Sequence, residues 1–130
     1  MTGDTAREVF CETVVPVILS NRLSAHRLAA SLRARYRLAS VLCGRRRSFL
    51  DLVDLDCGFL ALSEDMGRLT LEQLIDFSDK WNECILVLIP VSEASKRFIS
   101  EHKGELESRY LICEGGDTDR FFRDLFERWV

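Results

Sequence analysis

The apolar positions along this 130-residue chain fall into two kinds of run. Short, nearly continuous runs alternate with longer stretches in which apolar residues recur every three or four positions. The short runs are "TVVPVIL" (13–19), "LASVLC" (38–43), "CGFLAL" (57–62), "CILVLIP" (84–90) and "RYLICE" (109–114). Apolar runs of this length, rich in β-branched residues and bounded by polar or glycine turns, read as strands. The run at 84–90 has hardly a polar break, as expected of a parallel strand covered on both faces. Pro16 cannot donate to a ladder, which predicts a place at a sheet edge or near a strand end.

The longer stretches have helical spacing. In 22–36, Ala25, Leu28, Ala29, Leu32 and Tyr36 share one face, with Ser20 or Asn21 as an N-cap. In 70–82, Thr70 and Gln73 have capping-box spacing, and Leu71, Leu74, Ile75, Ser78 and Trp81 form the inner stripe. A third helix is expected over 92–106, buried through Ala94, Phe98, Ile99 and His102. The last begins near Asp117 or Thr118 and carries Phe121, Phe122, Leu125, Phe126 and Trp129 on one broad side. Between the second and third strands, "GRRRSFLDLVDLD" reads as a loop or a helical turn. The order β-α-β-β-α-β-α-β-α predicts a Rossmann-like three-layer α/β/α domain with a mainly parallel five-stranded sheet. It fills one domain, with 1–12 as a peripheral segment.

Composition narrows the class. A hydrophobic fraction of 47% with 30% charged residues is that of a globular domain. No apolar run reaches the ~20 residues of a membrane span, and the polar, acidic N-terminus is unlike a secretory signal; the expectation is a cytoplasmic protein that binds neither membrane nor nucleic acid. The five cysteines (11, 43, 57, 84 and 113) have no C-x-x-C pair, and neither His26 nor His102 completes a metal-ligand spacing. Cys43, Cys84 and Cys113 read as buried thiols.

Charge is distributed unevenly. Thr13–Leu50 has eight arginines and no Asp or Glu, whereas 51–130 carries a net charge of −9 and the whole chain −3. This predicts a basic and an acidic surface, suited to anion binding or to an electrostatically matched contact.

In an open α/β sheet, ligands bind outside the carboxyl ends of the strands. The first such turn, Ser20-Asn21-Arg22, lacks the glycines that let backbone approach a pyrophosphate. It reads either as a helix cap or as a site for one small carboxylate or phosphate. Arg45 and Arg46, after the second strand, are candidate anion contacts; otherwise they read as solvated or as engaged with acids such as Asp51, Asp54 and Asp56. His26 falls on the polar side of its helix. No nucleophile elbow, P-loop or Ser-His-Asp set is present, so no catalytic residue and no metal ligand is assigned.

The stretches "VVPVILSNRLSAHRLAASLRARYRLASVLC" and "CILVLIPVSEASKRFISEHKGELESRYLI" resemble the pre-ATP-grasp (N-terminal, Rossmann-like) domain of ATP-grasp carboxylate–amine ligases, the D-aspartate ligase type in particular. The resemblance spans roughly residues 13–113. It departs at Ser20-Asn21, where that family usually keeps glycine. It implies a non-catalytic domain that helps form a substrate pocket and packs on an ATP-grasp domain, in cis or in trans. ATP and Mg would belong to that catalytic domain and no cofactor to this chain. The aromatic last helix is expected to pack on the sheet and also to offer a homodimer contact. The alternative function is a stand-alone anion- or nucleotide-binding or protein-interaction module.

Overall fold

The computed structural model describes residues 13–54, 56–114 and 116–129. The expected peripheral segment 1–12, Cys11 and the side chain of Trp129 lie outside the described residues. Five strands form one all-parallel sheet: β1 (Val14–Ile18), β2 (Val41–Gly44), β3 (Gly58–Ala61), β4 (Ile85–Ile89) and β5 (Leu111–Ile112), in the order β3-β2-β1-β4-β5. Among the described residues six helices connect and cover them: α1 (Leu23–Tyr36), α2 (Phe49–Val53), α3 (Arg68–Lys80), α4 (Glu93–Glu101), α5 (Lys103–Glu107) and α6 (Thr118–Trp129). This is the Rossmann-like three-layer α/β/α fold expected from the strand–helix alternation, with β2 and β3 joined through the short helix α2.

Each face of the sheet has its own core. On one, Ala25, Ala29 and Leu32 of α1 and Phe122 and Leu125 of α6 pack on Val14, Ile18, Leu42, Val87 and Ile89. The two alanines bring α1 close to the sheet, as short side chains allow. On the other, Leu71 and Leu74 of α3, Phe98 and Ile99 of α4 and Leu106 of α5 pack on Val17, Cys43, Leu86 and Leu88. The last helix packs on the sheet through Phe122 and Leu125, with Phe121 and Phe126 half-buried.

Several local expectations change. Pro16 lies in the middle of the central strand, level with Val87 of β4. Leu19 N–H donates to Ile89 O across the β4 side at 3.0 Å. Amides alternate sides along a strand, so position 16 faces β2, and pairing there begins only at Val17↔Val41. The proline therefore sits where no ladder donor is required. The helix expected over 92–106 breaks at His102 into α4 and α5. Ala94 is exposed and Ser95 is buried in its place; Trp81 is 49% exposed, off the stripe that Leu71, Leu74 and Ser78 bury. Gly67, not Thr70, is the N-cap of α3, and Thr70 Oγ1 accepts from its N–H at 3.1 Å.

The helix α2 is built the wrong way round for a sheet-covering helix. Its buried residue is Asp51, while Phe49, Leu52 and Val53 are 76%, 62% and 56% exposed. At five residues it is too short to stand by its own backbone bonds. Side-chain hydrogen bonds from its polar inner side hold it to α1 and to the loop after β1.

Candidate functional site

The carboxyl ends of β1 and β2 bring the sequence-predicted residues together. Asn21 Nδ2 donates to Arg46 O at 2.7 Å and to Asp51 Oδ2 at 2.8 Å. Its amide lies so close over β2 that a Cβ at Gly44 would meet Asn21 Cγ at 2.5 Å. Glycine at 44 is thus what lets the two turns touch. Ser20 Oγ accepts from Arg22 N–H at 3.1 Å. The expected N-cap role falls to neither Ser20 nor Asn21: Arg22 is the capping residue, and no side chain caps α1. Ser20 and Asn21 are committed to internal bonds. Arg22, Arg45 and Arg46 point outward, exposed.

Strand order reverses between β1 and β4, where this fold places ligands. The β4 loop there is closed on itself. Ser95 Oγ accepts from Val91 N–H at 3.1 Å and from Ser92 N–H at 2.9 Å, and Ser92 Oγ accepts from Ser95 N–H. Farther along this edge a cleft of about 410 Å³ opens between the end of β5 and α4, lined by Val91, Lys96, Ile99, Lys103, Glu114 and Thr118 among others. Lys103 and Glu114 pair within it at 2.9 Å.

The largest concentration of chemistry lies elsewhere, between α1 and α2. His26, expected on the polar side of its helix, is 7% exposed. Its Nε2 is 2.9 Å from Asp51 Oδ1 and its Nδ1 is 3.1 Å from Asp54 Oδ2. The Cys57 thiol donates to that same Asp54 oxygen at 3.3 Å. Asp51 also accepts from Ser48 N–H at 2.6 Å and from Ser48 Oγ at 3.0 Å, closing the capping box that starts α2. The two acids contribute, three residues apart, to one side of α2 and its C-cap.

Burial alone would raise the Asp51 carboxyl. Donors from the Ser48 backbone, Asn21, the Ser48 hydroxyl and His26 outweigh it and hold the group below its ordinary value. Burial, helped by the hydrogen bond to Asp54, pushes the Cys57 thiol up to about 12. Burial alone does the same to Cys43. Neither is a ready nucleophile.

Beside Asp54 and Cys57 is a cavity of about 390 Å³, lined also by Arg33, Leu38, Ser40 and Asp56. Arg33 pairs with Asp56 at its rim. Ser40 is 2% exposed and its hydroxyl has no hydrogen-bond partner among the described residues. Sequence spacing does not reveal this group, because His26 and the acids are 25 and 28 residues apart. The one legible signal is Ser48-x-x-Asp51, a capping pattern just before an apolar run.

Fold and site together define a Rossmann-like α/β domain whose ligand-side turns are braced internally rather than opened by glycine. No protein-family model, curated protein or solved structure matches this chain. Among the described residues no helix is long and apolar enough to cross a membrane.

Proposed function

We propose that this chain is a non-catalytic Rossmann-like domain that packs, through the outer face of α2, on a second protein domain. The resemblance to pre-ATP-grasp domains supports taking that second domain to be the catalytic unit of a carboxylate–amine ligase. The observation that carries the reading is the reversed polarity of α2. Phe49, Leu52 and Val53 face solvent while an ionised aspartate faces inward. Full burial of such side chains stabilises by roughly 1.5–3 kcal/mol each. Covering these three, which are already partly buried, would contribute about 3–5 kcal/mol to an association. Exposed Arg45 and Arg46 lie on the preceding loop, and Arg47 stacks over Phe59 of the edge strand at 5.1 Å. They fit a partner surface that is apolar at its centre and acidic at its rim.

Light scattering tests the reading, with the chain mixed with any ATP-grasp domain that the same or the adjoining reading frame encodes. A one-to-one complex is expected that Leu52→Asp abolishes without lowering the chain's own melting temperature, and calorimetry should show no ATP binding by the chain alone. A complex insensitive to Leu52→Asp refutes the α2 face. The absence of any ATP-grasp domain in those frames refutes the ligase assignment. A homodimer that Leu52→Asp dissociates makes a second copy the occupant instead. A phosphate- or nucleotide-induced thermal shift lost in Arg45→Ala/Arg46→Ala replaces the docking domain by an anion-binding module.

A further inference from the structure

We propose that His26, Asp54 and Cys57 form a binding site for a divalent transition-metal ion of the zinc class, with Asp51 orienting the histidine. The three donor atoms, Nδ1, a carboxylate oxygen and Sγ, all lie within 4.8 Å of one another. Bond lengths at a tetrahedral zinc place neighbouring N, O and S ligands about 3.3–3.6 Å apart. The Nδ1–Oδ2 and Sγ–Oδ2 separations are 3.1 and 3.3 Å, within a few tenths of an ångström of that spacing.

The charges point the same way. Asp51 takes donors from Asn21, from Ser48 N–H and from the Ser48 hydroxyl, the environment of an ionised, acceptor-only carboxylate. His26 Nε2 must therefore carry the hydrogen in its contact with Asp51 Oδ1. The histidine's other nitrogen then faces Asp54 Oδ2, and two lone pairs cannot hold that distance alone. Either a proton or a cation sits between them. A carboxylate that fixes one ring nitrogen while the other meets a metal is the usual second layer of histidine metal sites. Cys57 adds a soft donor beside the same oxygen, a set that suits zinc rather than magnesium or calcium. Ion entry displaces the proton between Nδ1 and Asp54 Oδ2 and the one on Sγ, so two positive charges replace two.

An independent feature leaves room for a fourth ligand. The cavity of about 390 Å³ opens on Asp54 and Cys57, and the unpartnered, buried Ser40 hydroxyl lines it. A water completing the tetrahedron would lie in that cavity, where Ser40 supplies a polar partner. This location, between α1 and α2, is away from the exposed α2 face proposed for docking, so either reading stands if the other fails.

The test is cobalt(II) titration of the full chain, reduced and freed of metal by chelation, followed by competition with zinc. One equivalent should give the visible bands of tetrahedral cobalt and a thiolate-to-cobalt charge-transfer band, and zinc should abolish both. Cys57→Ser should remove the charge-transfer band, and Asp51→Asn should weaken binding about 10–100-fold. Circular dichroism verifies that each variant is folded. Should Asp51→Asn not fold, His26→Gln takes its place, with loss of at least tenfold in affinity expected. No cobalt spectrum at equimolar metal, or a thiolate band that survives in Cys57→Ser, overturns the site.

Discussion

Asp51→Ala is the substitution that the structure makes most costly for its size. The Asp51 side chain is 2% exposed and its carboxylate holds four donors: Asn21 Nδ2, Ser48 N–H, Ser48 Oγ and His26 Nε2. Removing it opens the capping box of α2, a loss of about 1 kcal/mol. It also leaves the His26 Nε2 donor buried without a partner, which costs about 1–3 kcal/mol. Asn21 keeps its bond to Arg46 O and adds little. The expected destabilisation is about 3 kcal/mol by urea unfolding, or a fall in Tm of roughly 10 °C for a domain of this size. Glu127→Ala, at an exposed position, is the control and should stay within about 0.5 kcal/mol of wild type. An Asp51→Ala variant as stable as the control would refute the view that this carboxylate holds α2.

The same group fixes a pH dependence. Its folded carboxyl titrates below the ordinary value of 3.8, so the unfolded chain takes up the proton first as pH falls. The stabilisation is complete above the unfolded value and is lost as pH drops through the folded one. Wild type should therefore lose stability from about pH 5 downward, and Asp51→Ala should lose less over that interval. Equal acid slopes in the two proteins would contradict the depressed pKa.

Gly44→Ala should cost about 1–2 kcal/mol, because the new methyl group meets Asn21 Cγ at 2.5 Å and displaces its bonds to Arg46 and Asp51. Combined with Asn21→Ala, the loss should be less than additive in denaturant titrations; full additivity would mean that the two residues do not act through each other. Burial pushes the Cys43 and Cys57 thiols up to about 12, so Ellman's reagent at pH 8 should reach neither until the chain unfolds. Mass mapping of rapidly labelled native protein checks this. Tyr110→Phe removes a buried 2.6 Å hydrogen bond to Leu74 O, and a loss of about 1 kcal/mol in thermal unfolding is expected.

The sheet was legible wherever the apolar pattern was continuous. Residues 84–90 announce β4, and the alanines of 22–36 announce a helix pressed against a sheet, because burial on both sides of a strand and close packing leave direct marks on residue choice. What stayed hidden depends on partners distant in sequence. Pro16 looked like an edge residue because the sequence does not say that β2 begins one register later. Gln73 looked like half of a capping box. Its side chain instead accepts from Ser63 N–H and donates to Ala61 O, tying α3 to the end of β3. His26 looked solvated because no partner for it lies near it in sequence; the acids that enclose it come from α2 and its C-cap. The turn Ser20-Asn21-Arg22 follows the carboxyl end of β1, where the strand pattern puts it. Nothing in its composition shows that Asn21 would be consumed by Gly44, Arg46 and Asp51.

The short helix α2 joins the two proposals through a single set of bonds. Its inner side, Asp51 and Asp54, is what holds His26; its outer side, Phe49, Leu52 and Val53, is what a partner would cover. Five helical residues have little stability of their own, so the outer face is presented only as firmly as the inner contacts fix it. An ion on His26, Asp54 and Cys57 would tighten the inner contacts and lower the ordering cost of docking. Linkage then requires the reverse in equal measure: a docked partner must raise metal affinity by the same factor. Measuring cobalt affinity with and without the partner reads that factor directly, and Leu52→Asp should return it to one while leaving the affinity of the chain alone unchanged. A partner that binds through α2 yet leaves metal affinity untouched would show that α2 is already rigid without the ion.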